Sequence, residues 1–120
     1  MDEIFYYSDR KVATFCTKEI SEKLPNDLIN LMFDMAFLRG ETCKSQGISA
    51  DYLQVFYIKM TSKKTYVCMV QEEPQRVDMF VCRNENECTL IEGKVYLIEE
   101  SNGGDGVENH YITMLFPEEY

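Results

Sequence analysis

Apolar positions follow two different spacings in this chain. Between residues 28 and 38 they recur at helical intervals. Leu28, Leu31, Met32, Met35 and Leu38 make one stripe, and Ile29, Phe33 and Phe37 make a second beside it. Pro25 stands where the first turn of a helix tolerates proline, because the missing N–H would have no intrahelical partner there. Asp27 adds negative charge at the positive end of the helix dipole. The pattern predicts a helix over about residues 25–39, with Gly40 as its C-cap. A helix apolar along two stripes needs wide cover. Either a sheet and flanking segments supply that cover, or the stripe of Ile29, Phe33 and Phe37 meets another protein.

Elsewhere the pattern is extended. Residues 11–16 read as a short strand, followed by a polar turn or a single helical turn over residues 17–23. After a polar loop at 41–50, residues 51–60 and 65–71 are rich in Tyr, Val, Phe and Ile. They flank the turn Thr61-Ser62-Lys63-Lys64, which suggests a hairpin. Over residues 76–83, Val77, Met79 and Val81 alternate with Asp78, Phe80 and Cys82. Residues 94–99 and 111–116 read as two more strands. Successive strands without crossover helices pair antiparallel. The expected fold is α+β, with one long helix packed on a mainly antiparallel sheet of about five or six strands. Residues 1–120 form a single domain without internal repeat or linker. The run Phe5-Tyr6-Tyr7 reads as cover for the helix or as an interface.

Composition supports a packed domain: 120 residues are 45% hydrophobic, with eight Tyr, seven Phe and seven Met. Such a chain can bury a core without disulfides or metal. The five cysteines are an odd number with no CxxC pair, which suits reduced thiols in the cytoplasm. Met1-Asp2-Glu3-Ile4 lacks the positive start of a signal peptide. No apolar stretch approaches the roughly 20 residues of a membrane-spanning helix, so no membrane is expected.

Charge is distributed unevenly. Residues 84–120 hold nine acids and one base, Lys94, and so carry −8 of the net −9. Direct nucleic-acid binding is not expected from such a balance, and Arg10-Lys11 and Lys63-Lys64 are the only basic doublets. The acids could instead imitate a row of phosphates.

Signals for chemistry are weak. His110 is the only histidine, and no cysteine is set at a spacing that selects it as a partner. Cys82 and Cys88 lack the second pair that zinc requires. Asn102-Gly103-Gly104-Asp105-Gly106 lacks the Lys-Ser/Thr of a phosphate loop and departs from a calcium loop. Adjacent Glu99 and Glu100 would point to opposite faces of a strand. Neither catalytic residues, nor a metal site, nor a cofactor is expected, and the chain does not read as an enzyme.

Several segments resemble a known family. They are Arg10-Lys11-Val12-Ala13-Thr14, Ile20-Ser21-Glu22-Lys23-Leu24-Pro25, Asp51-Tyr52-Leu53-Gln54-Val55-Phe56, Gln71-Glu72-Glu73-Pro74, Lys94-Val95-Tyr96-Leu97-Ile98 and Thr113-Met114-Leu115-Phe116-Pro117-Glu118-Glu119-Tyr120. Together they resemble the bacterial family catalogued as domain of unknown function 960, small cytoplasmic proteins of Gram-positive bacteria, some carried on mobile elements. The resemblance implies an α+β domain and a cytoplasmic address, and supplies no catalytic residues. The chain departs from the family pattern in the Gly-rich stretch at 101–109 and in Gly40-Glu41-Thr42-Cys43.

The expected function is a small interaction module with a protein partner. Its candidate surface is Ile29, Phe33 and Phe37 with the carboxylates Glu99, Glu100, Asp105 and Glu108. The alternative is an acidic nucleic-acid mimic that inhibits a DNA- or RNA-binding protein.

Overall fold

The structure, a computed structural model, describes residues 3–6, 13–47, 51–72, 75–84, 90–101 and 110–120, with the backbone alone at 3–6, 44, 101 and 110. In chain order the elements are β1 (Glu3–Tyr6), β2 (Ala13–Cys16), α1 (Lys18–Lys23), α2 (Asn26–Ser45), β3 (Leu53–Met60), β4 (Lys64–Gln71), β5 (Arg76–Arg83), β6 (Ile91–Ser101) and β7 (His110–Leu115), then a 3-10 turn at Pro117–Glu119. The strands form one sheet of seven in the order β1-β2-β7-β6-β3-β4-β5. All neighbours pair antiparallel except β2 and β7, which run parallel. The fold is α+β, as the sequence pattern predicts. The additional strand is β1, which includes Phe5 and Tyr6 of the aromatic run.

Residues 17–23 form more than a turn. The Thr17 hydroxyl accepts the Ile20 N–H at 3.3 Å and caps α1. The long helix α2 begins as expected beside Pro25, whose carbonyl accepts the N–H of Leu28 and of Ile29. Its end differs from expectation: Gly40 lies inside the helix and the terminating glycine is Gly47, at φ 73°. That left-handed conformation costs glycine little and other residues more. The run Gly40-Glu41-Thr42-Cys43 is therefore helical, and it brings Cys43 into a buried position.

One face of the sheet packs on the helices. Cys16, Phe56, Ile58, Val67, Met69, Val95, Leu97, Ile112 and Met114 form one buried cluster with Ile20, Leu24, Leu28, Ile29, Met32 and Phe33. Ile29 and Phe33 are fully buried, which corrects their assignment to an interaction surface. The two sequence stripes merge, because residues at i, i+1, i+4 and i+5 occupy one broad helix face. Phe37 is half-buried and packs against the same core, while Leu38 turns out to solvent.

Phe33→Ala should therefore destabilise the fold by about 3–5 kcal/mol in urea unfolding, as core aromatic truncations do. Gly40→Ala should stabilise it by about 0.5–1 kcal/mol, since an added Cβ meets nothing within 4 Å and the backbone there is helical.

Candidate functional site

The second half of α2 approaches β4 and β5 through one cation. Arg39 has no exposed side-chain surface. Its Nε and Nη2 donate to Asp78 Oδ2 at 3.1 and 2.6 Å. Nη1 donates to Gln54 Oε1 at 2.9 Å, and Nη2 also donates to the Met69 carbonyl at 3.2 Å. Gln54 in turn donates to Gln71 Oε1 at 2.8 Å and to the Asp51 carbonyl at 3.1 Å. The network links α2 to β3, β4 and β5. Its signal in the sequence is a lone cation in the stripe of Leu28, Met32 and Cys43, at offsets of helical period. Arg76 and Gln46 form a second link between β5 and the end of α2.

Beyond that network β5 is scarcely covered. Alternation places Asp78, Phe80 and Cys82 on the helix side and Val77, Met79 and Val81 on the opposite, open face. Val77, Met79 and Val81 are 56%, 68% and 48% exposed. Strand register continues this face inward, with Val81 beside Tyr66 and Met79 beside Cys68, which neighbours Tyr57. Tyr57 and Tyr66 are also exposed, and Lys94 Nζ lies 5.2 Å from the centre of the Tyr57 ring. At the far side the open face is better closed: Ile98 and Leu115 are buried, and Tyr120 packs edge-on against Tyr96 at 5.9 Å.

The expected acidic surface is divided. Glu99 and Glu100 are exposed on opposite faces of β6. Glu100 accepts the Tyr111 hydroxyl at 2.9 Å, and this hydrogen bond raises the phenol pKa above its ordinary value. Asp105 and Glu108 lie outside the described residues. Glu119 accepts from the Thr17 hydroxyl and from the Phe116 N–H, both at 2.9 Å. The described carboxylates of the last third, Glu92, Glu99, Glu100, Glu118 and Glu119, thus fall on both faces of β6 and on the C-terminal turn, with no common row. Cys16, Cys43, Cys68 and Cys82 form no disulfide with one another. Among the described residues no three His, Cys, Asp or Glu come together in a way that could hold a metal ion. No helix there is long and apolar enough to cross a membrane. Cys88 and the Gly-rich segment at 102–106 lie outside the described residues.

Arg39→Ala should cost about 3 kcal/mol in denaturant unfolding, because it leaves Gln54 and the Met69 carbonyl without their donor. Asp78→Asn should cost only about 1 kcal/mol: the amide retains an acceptor oxygen, and the Asp78 side chain is 57% exposed.

No protein-family model matches the chain, and neither a curated protein nor a solved structure matches it.

Proposed function

We propose that the chain is a small protein-interaction module whose contact surface is β5 with the open sheet face beside it. The observation that carries this reading is the exposure of Val77, Met79 and Val81 on the open face of a single edge strand. Isolated apolar side chains on a surface need no explanation, whereas a contiguous patch marks a contact site or an aggregation hazard. Polar groups rim this patch, including Lys59, Lys64, Arg83 and Lys94, which suits a reversible contact with another protein chain. The helix plays a supporting part, since its broad apolar face is used up inside the fold. No catalytic step belongs to this reading.

The test compares the tagged wild-type chain with Val81→Glu in nuclease-treated affinity capture. Val81 sits on the open face, so the substitution should leave stability within about 0.5 kcal/mol. A protein partner retained by the wild type should be lost by the variant. Capture of the same partner by both, with equal yield, would place the contact elsewhere.

A further inference from the structure

The outer side of β5 is an unpaired strand edge among the described residues. The Asn84 N–H donates to the Lys63 carbonyl at 2.8 Å. With Arg83 opposite Lys64, antiparallel alternation turns the main-chain groups of Phe80 and Cys82 toward β4. Those of Val77, Met79, Val81 and Arg83 then point outward. Edge strands usually carry a device against further pairing, such as proline, a bulge or an inward charge. β5 has no proline and pairs with β4 without interruption from Arg76 to Arg83. Its inward charges, Arg76 and Asp78, are engaged by Gln46 and Arg39.

One recess lies beside this edge. A cleft of about 270 Å³ opens on the helix side, between Met35, Leu38 and Thr42 of α2 and Phe80 of β5. A depression of about 480 Å³ lies on the other face, inward of the edge, lined by β3, β4 and β6 with Met79 the one contribution of β5. An added strand would send alternate side chains toward the helix-side cleft and the others along the open face beside Val77, Met79 and Val81, as strand-addition complexes do. At the end of β5, Lys63, Lys64 and Arg83 surround a third recess of about 280 Å³.

Resting on the interaction reading, we infer that β5 accepts an eighth strand: an extended segment of a partner protein, apolar at alternate positions and acidic where it passes Lys63, Lys64 and Arg83. A second copy of the chain fits less well. Antiparallel pairing of the outward groups of two β5 strands sets no acid opposite Arg83, since the one acid of β5, Asp78, belongs to the inward set. Two chains of net charge −9 also repel each other. A single-stranded nucleic acid could meet the lysines and tyrosines, but would leave Val77, Met79, Val81 and the outward main-chain groups unused.

A library of random dodecapeptides displayed on phage and selected on the full chain provides the probe. The expected peptides carry apolar residues at period two with acids toward one end. On binding, the amides of Val77, Met79 and Val81 should become protected from hydrogen exchange. Met79→Pro removes an outward donor without touching the β4 ladder, and should weaken the selected peptide about tenfold, the worth of one main-chain hydrogen bond. If that variant fails to fold, hydrogen exchange in the wild type decides. Peptides of helical period, unprotected β5 amides in the complex, or an empty selection would overturn the added strand. So would protection that rises with protein concentration alone, or displacement of the peptide by oligo(dT). A partner lost with Val81→Glu whose binding leaves the β5 amides exchanging freely would keep the interaction module and remove only the strand.

Discussion

The Arg39 guanidinium, taken fully out of water, holds the two layers of this fold in register. It binds one residue of β3, the main chain of β4 and a carboxylate of β5 from a single position on α2. Burial of a charge is unfavourable unless the geometry satisfies it. Here three acceptors from three strands do so, and Gln54 extends the arrangement to Gln71 and Asp51. An apolar contact would allow the helix to slide across the sheet. A planar fork with fixed donors does not. The polar network also explains how β5 stays attached with so little of its side-chain surface buried: its anchors are Asp78, Arg76 and the ladder to β4.

The result is a one-sided protein. The helices complete a dense core over the central strands, and the C-terminal turn closes one corner of the opposite face. The side toward β5 stays apolar and open. Charge follows the same division. Acids gather along β6 and the C-terminal turn, whereas Lys63, Lys64 and Arg83 share the end of the β4–β5 hairpin. Net charge alone conceals that local basic corner, because a sum over the chain says nothing of where its members lie.

Much of this architecture was legible in the sequence. Alternation of Val77, Met79 and Val81 against Asp78, Phe80 and Cys82 marked both the strand and its faces. The turn at Thr61–Lys64 marked the hairpin. The helix was legible in kind but not in extent. Gly40 looks like a stop because glycine weakens a helix interior by about 1 kcal/mol, yet the contacts of Arg39 and the burial of Cys43 outweigh that cost. Ile29 and Phe33 read as a separate stripe because local pattern does not reveal how wide a helix face a sheet can cover. The strand at residues 3–6 lies, apart from Glu3, in the unbroken apolar run Ile4-Phe5-Tyr6-Tyr7, with no alternation to announce it. Nor could local pattern reveal that β5 is an edge, since edge position is a property of topology. The carboxylates at 99 and 100 were legible as exposed and opposed, but their divided placement took away the coherent surface that their number suggested.

The parallel pairing of β2 with β7 makes the early chain wait for the late chain. Strands β3, β4 and β5 are a meander of neighbours, whose contacts close over short loops and carry little entropic cost. The hairpin of β1 and β2 has no seat in the sheet until β7 lies beside β6. Loop-closure entropy favours assembly from the β5 side toward the β1 side. The apolar edge is thus among the first surfaces to take shape and is already on display while the opposite edge is still being built. For a nascent chain this is the interval of greatest hazard from unwanted pairing, and equally the earliest moment at which a partner's strand could find its place.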